Sequence, residues 1–231
     1  MNVRMKSKTG ALRRRTSLTI GVAAALLPAL TLAQVFSNDA DPFGKTYRDW
    51  VAEWVQWSYS IPAAVHPLID PPENYCAIGQ RGKVWFLGGT FGGSATRTCT
   101  IPAETGVFFP LVVLSCDNVG MNPPLSPAGL RDLCASYLGQ TVLEAELDGK
   151  TIKNLGQFRV KSPVFSYSVT DNNLFGYPAG VVYPTVADGY FLMLKPLSPG
   201  MHTLHFHGGL PPYGFDVNVS YTLNVVPLIS P

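Results

Sequence analysis

The stretch Thr141-Val142-Leu143-Glu144-Ala145-Glu146-Leu147-Asp148-Gly149 decides the fold class. Val142, Glu144 and Glu146 alternate with Leu143, Ala145 and Leu147, which is the period of a strand with one face turned to a core. Asp148-Gly149 then supplies two residues suited to the positive φ angles of a tight hairpin. The same grammar continues on both sides. Segments 164–169, 190–195, 202–207 and 215–225 read as strands, with turn chemistry at Leu197-Ser198-Pro199-Gly200. Upstream, 83–87, 96–101 and 106–114 read the same way, and the last is so apolar that both its faces are expected to be covered. About nine short strands with hairpin-length connections and no βαβ rhythm predict a mainly β protein, an antiparallel β-sandwich of immunoglobulin-like or jelly-roll-like type.

Two helices accompany the strands. Asp41-Pro42 offers a cap and a first-turn proline for an N-terminal helix over about 43–59, and Ser126-Pro127 does so for an inserted helix over about 127–138 that stops at Gly139. In the first helix Tyr47, Trp50, Trp54 and Trp57 fall within about 80° of one another at about 100° per residue. They form a single stripe that holds three of the four tryptophans. A helix docked on a sheet by its aromatic side is the expected reading, and a sugar-stacking platform is the alternative.

The full chain has 231 residues, 17 basic and 15 acidic side chains, and a charged fraction of 14%. Six of the basic residues (Arg4, Lys6, Lys8, Arg13, Arg14, Arg15) precede an apolar run over 18–32 and then Ala33-Gln34, with no acid among them. That pattern predicts a cleaved signal peptide over 1–33, leaving a single domain over 34–231. Arg14-Arg15-Thr16-Ser17-Leu18 resembles a twin-arginine signal loosely, but Ser17 stands where an apolar residue is normal, so the general secretory route is favoured. The remainder carries 11 basic and 15 acidic residues, which leaves no basic face for nucleic acid. It contains no uninterrupted apolar run of about 18 residues, so no transmembrane segment is expected there. A secreted or periplasmic location follows.

Cys76, Cys99, Cys116 and Cys134 are an even set in an exported chain, read as two disulfides. Cys76–Cys99 and Cys116–Cys134 are the expected pairs, because each brackets a short stretch that folds back on itself. Spacings of 23, 17 and 18 match no common thiolate zinc cluster.

Several catalytic signatures are absent: G-x-S-x-G, H-E-x-x-H, the P-loop, and G-x-G-x-x-G after a strand. The Gly88–Gly93 cluster lacks the Lys and helix start of a phosphate cradle. Three of the four histidines lie in His202-Thr203-Leu204-His205-Phe206-His207. On a strand His205 and His207 share one face, with Cβ atoms about 7 Å apart, suited to one Zn or Cu ion. His202 has the other parity, and a third ligand would have to come from His66, Asp188 or Asp216. A solvated face or an imidazole–carboxylate network gives the same pattern. Glu144 and Glu146 are also same-face neighbours, a carboxylate pair of the kind used in glycoside hydrolysis, although exposed positions on a half-buried strand explain them more simply. Ligand-recognising loops are the other candidates. Asp117 and Asn118, Asp171, Asn172 and Asn173, Tyr177, Tyr183 and Tyr213 combine rings with amide and carboxylate groups that suit neutral polar ligands, including glycans.

Arg48-Asp49-Trp50 to Trp57, Cys76-Ala77-Ile78-Gly79-Gln80, Val84-Trp85-Phe86-Leu87 with Gly88-Gly89-Thr90-Phe91-Gly92-Gly93, and Leu197-Ser198-Pro199-Gly200-Met201-His202-Thr203 together resemble a group of uncharacterised secreted bacterial proteins. The likeness spans nearly the whole exported part. It implies export and a β-rich body, and it transfers no catalytic residue, since no reaction is assigned to the group. The resulting expectation is a secreted, disulfide-stapled β-sandwich that binds or packs against an envelope or extracellular component. A metal-dependent extracellular enzyme centred on His205 and His207, and a carbohydrate-active protein using aromatic and acidic loop residues, are the alternatives.

Overall fold

The 13-residue helix α1 (Tyr47–Tyr59) is fastened at both ends of its aromatic stripe. Thr46 and Asp49 form a reciprocal capping box at its start, so the helix begins a turn later than Asp41-Pro42 suggests. Those two residues instead open a single 3-10 turn, Pro42–Gly44, in which Phe43 takes a φ of 57°. The computed structural model describes residues 34–69 and 75–228. The expected signal peptide over 1–33 lies outside the described residues.

Ten strands follow: β1 (Val84–Phe86), β2 (Gly93–Pro102), β3 (Gly106–Cys116), β4 (Val142–Leu147), β5 (Lys150–Thr151), β6 (Arg159–Lys161), β7 (Phe165–Val169), β8 (Gly180–Leu194), β9 (Gly200–Leu210) and β10 (Phe215–Val226). Helix α2 (Pro127–Tyr137) is inserted between β3 and β4 and capped by Ser126. The first sheet runs β1-β3-β8-β6, with β7 paired to the other end of the long β8; the second runs β2-β10-β9-β4-β5. The mainly β architecture of two sheets and two helices matches the expected sandwich.

Most neighbours are antiparallel, and Asp148 and Gly149 turn the β4–β5 hairpin at φ 50° and 71° as their chemistry requires. Two pairs are parallel, β1 with β3 and β2 with β10. Between β1 and β3 the chain crosses to the second sheet as β2, and so re-enters the first sheet in the same sense. The sequence reading passed over β6, whose three residues are too few to show alternation, and the first half of β8, which Pro184 interrupts.

The inner faces of the two sheets meet through Phe109 and Phe206, whose rings lie 4.9 Å apart. Helix α1 covers the opposite face of the first sheet. Tyr47 packs edge-on against Phe108 and Trp54 edge-on against Phe191. β3 is therefore covered from both sides and all but fully buried from Gly106 to Val112, as its unbroken apolar run anticipates. The disulfides pair Cys76 with Cys99 and Cys116 with Cys134. The first ties the 75–77 turn to β2, and the second ties the end of β3 to α2 around a small satellite core of Leu130 and Val186.

The sheets approach closely at Gly208, where an added Cβ would lie 1.9 Å from the Leu111 carbonyl oxygen. Only glycine fits there, because the obstacle is backbone and cannot rotate away. Gly208→Ala is expected to lower stability by about 2–3 kcal/mol through overpacking, read as a lower urea midpoint; an unchanged midpoint would show that the sheets are not held this tightly together.

Candidate functional site

A cavity of about 160 Å³ lies at one end of the structure, between α1, β3 and the start of β10. Its walls are mainly apolar: Trp54 and Val55 from α1, Leu111 and Val112 from β3, and Val217 from β10. The local sequence explains why the space stays open. Pro110 has no N–H to give the ladder, and the β3–β8 register shifts between Pro110 and Val112. Small residues, Ser58, Gly89 and Ser115, stand where larger ones would fill the space. At the rim, Phe91 is 55% exposed and meets Phe175 edge-on at 5.7 Å. Phe175 in turn stacks on Tyr59, with centroids 3.8 Å apart and planes 8° from parallel.

Of two buried hydroxyls in the lining, Ser58 Oγ has no hydrogen-bond partner among the described residues, and Ser115 Oγ has only the Tyr59 phenol beside it. A buried polar group left unpaired costs about 1–3 kcal/mol, so these oxygens are the polar features a ligand would satisfy. Beside them lies a buried phenol–carboxylate group. Tyr167 donates to Asp117 Oδ2 at 2.7 Å, and the Val119 N–H donates to Asp117 Oδ1 at 2.8 Å. Burial pushes the Tyr59 and Tyr167 phenols far above their ordinary range, with the neighbouring carboxylate adding to it, and Tyr177 is raised for the same reasons. All three are neutral donors at physiological pH.

His66 is fully buried under the same wall, edge-on to Phe175. Its Nδ1 accepts the Leu68 N–H at 3.1 Å, which assigns the proton to Nε2, 2.9 Å from the Ser58 carbonyl oxygen. Burial holds this imidazole below its ordinary pKa, against the opposing pull of the Ser58 carbonyl.

The residues singled out from sequence divide sharply. Asp117 and Tyr177 are grouped with Tyr59 but do not themselves line this cavity. Asn118 instead bonds Leu125 through both side-chain atoms and closes the 118–125 loop. Asn172 occupies a left-handed position at φ 57°, and the Asn173 amide ties together the backbone of Thr170, Phe175 and Tyr177. Asp171 is exposed. Tyr183 is exposed on β8, and Tyr213 packs on Tyr137 beside α2. These loops do not converge on one ligand.

His205 and His207 do share the outer face of β9, but each faces its own partner. His205 Nε2 lies 2.8 Å from Asn218 Oδ1, and His207 Nε2 lies 2.6 Å from Asp216 Oδ1. Glu144 and Glu146 stand opposite them across the β4–β9 ladder. His202, of the other parity, bonds Asp148 Oδ2 at 2.8 Å and the Ser198 carbonyl at 2.9 Å. Among the described residues no group of three or more His, Cys, Asp or Glu side chains is arranged to hold a metal ion. The Zn or Cu site considered from the sequence is not assembled there, because cross-strand hydrogen bonds engage the imidazoles one by one.

The sequence reading missed Tyr59, Ser58, Ser115 and Tyr167, and it named His66 only as a possible third metal ligand, whereas the structure buries it against Ser58 and Leu68. Tyr59 ends the helix off the aromatic stripe, so the stripe does not mark it, and Tyr167 alternates inward with Phe165 and Val169, so periodicity marks it as core without naming its neighbours. In comparisons with known proteins, no family model, no curated protein and no solved structure matches the chain.

The two imidazoles with resolved shifts respond oppositely to pH. His66 is depressed, so its contribution to stability is complete above about pH 6.5 and falls as pH drops through that value. His202 feels burial pulling it down, but the Asp148 carboxylate and the Ser198 carbonyl outweigh it and raise it; its contribution is complete below about pH 6.5 and falls as pH rises through the raised value. Imidazole titration by NMR is expected to place the His202 midpoint above and the His66 midpoint below about 6.5. The reverse order would refute these hydrogen-bond assignments.

Proposed function

We propose that the chain is an exported, non-catalytic binding module that takes a small, largely apolar molecule bearing one hydroxyl or carbonyl group into the cavity beneath Phe91 and Phe175. The observation that carries this reading is the combination of an apolar cavity with a buried Ser58 hydroxyl that has no partner among the described residues and a neighbouring Ser115 hydroxyl met only by the Tyr59 phenol. An apolar cavity of about this size accommodates a guest as large as benzene, and pockets lined this way with a few polar groups are the usual form of small-molecule sites. Export is supported by the basic and apolar head of the sequence and by the two disulfides. No helix among the described residues is long and apolar enough to cross a membrane. The envelope or extracellular space is where such a module would meet its ligand.

The test compares benzene with phenol as probes. Phenol should bind the mature protein more tightly, by about 3–10-fold for one net hydrogen bond, and the difference should vanish in Ser58→Ala with Ser115→Ala. Ser58→Ala alone should be no less stable than wild type, because it removes an unpaired buried hydroxyl. A cavity-filling Val112→Phe should abolish binding of both probes. If neither probe binds wild type, or if both bind the filled variant unchanged, the cavity is not the site.

A further inference from the structure

A second recess lies near the start of α1, where that helix and α2 flank the edge strand β6. It is open, about 500 Å³, and lined by Asn38, Arg48, Arg131, Arg159, Val160 and Lys161. Four of the 11 basic residues of the acidic 34–231 segment thus share one concavity, and no acid is among its lining residues. Only Arg159 is neutralised, in a bidentate pair with Asp188 at 3.0 and 2.9 Å. Among the described residues no carboxylate lies within ion-pair distance of Arg48, Arg131 or Lys161.

Part of this arrangement serves the fold. Arg48 Nε donates to the Lys161 carbonyl at 3.0 Å, and an Arg131 terminal nitrogen donates to the Ser162 carbonyl at 3.0 Å. The two helices thereby cover the free edge of β6 and blunt it against pairing with other chains. Covering one carbonyl needs one donor, however, and a guanidinium has five in a rigid fork. The Lys161 ammonium has no part in the edge protection. The anchored bonds fix two guanidinium groups from opposite sides while leaving donors over, and the uncompensated like charges repel one another unless an anion sits between them.

We infer that this recess binds a phosphate group, as inorganic phosphate or as a phosphomonoester. Donors arriving from α1, α2 and β6 surround the space from three sides, which suits an anion whose oxygens point out of one plane. Arg forks and a Lys point charge are the usual partners of such a group. The recess is larger than phosphate itself, and this leaves room for whatever carries it. The site is separate from the cavity, so binding at either does not depend on the other.

The test titrates the mature protein with inorganic phosphate and with glycerol 3-phosphate, against sodium chloride at equal ionic strength, following amide NMR shifts and calorimetric heat. Saturable binding is expected, with shifts centred on Arg48, Arg131 and Lys161. Lys161→Gln removes a charge that makes no hydrogen bond among the described residues, so it should fold normally and weaken binding about tenfold; Lys161→Gln with Arg131→Gln should abolish it. Lys195→Gln should bind as wild type does. Tighter binding of glycerol 3-phosphate would identify a carried phosphate as the ligand, and equal affinity would identify the free ion. No saturable binding of either, or binding equal in wild type and Lys161→Gln, would overturn the inference.

Discussion

The docking of α1 by its aromatic stripe is the constraint on which the rest of the molecule depends. A buried indole N–H left without a partner is costly, and all three tryptophans of the stripe find backbone carbonyls. Trp50 donates to Pro42, Trp54 to Leu87 and Trp57 to Ile78, each at 2.9 Å. These bonds tie one helix to three separate connecting segments. Tyr47 adds a fourth tie, accepting from Met193 N–H and donating to the Phe36 carbonyl. Losing one such ring would cost about 3–5 kcal/mol, a large share of the stability of a domain this size.

The cavity follows from that docking. Leu87 leads directly into the Gly89–Phe91 segment of its wall, and Ser58 and Tyr59 close the helix on the other side. The 75–77 turn near Ile78 is held again through the Cys76–Cys99 disulfide, so hydrogen bond and covalent link fix the same region. The phosphate recess also begins on this helix, at Arg48 in its first turn. A sparsely charged chain thereby places its apolar and its cationic features toward opposite ends of a single helix.

What the sequence made legible was periodic. The strand alternation of 141–147, the buried run of β3, the Trp stripe and the pairing of nearby cysteines all rest on local spacing, and the structure follows them. The candidate site rests on something else. Asp117, Tyr167, Tyr59 and Tyr177 are scattered over more than a hundred positions, and only sheet pairing and the docked helix bring them together. The H-x-H pair was correctly placed on one face, yet its chemistry was set by Asn218 and Asp216 across the ladder, which spacing within β9 does not reveal. The four basic residues of the recess are likewise unremarkable until α1, α2 and β6 meet.

Hydrogen exchange of the tryptophan indole N–H groups tests the central role of the docked helix most directly. If α1 is integral to the core, the Trp54 indole proton, bonded to Leu87, exchanges only on global unfolding. Its exchange free energy then equals that of the most protected β3 and β8 amides and falls with denaturant at the same slope. Exchange of that proton through a local opening independent of denaturant, while the β3 and β8 amides stay protected, would show that the helix leaves the sheet without unfolding it and would contradict the account.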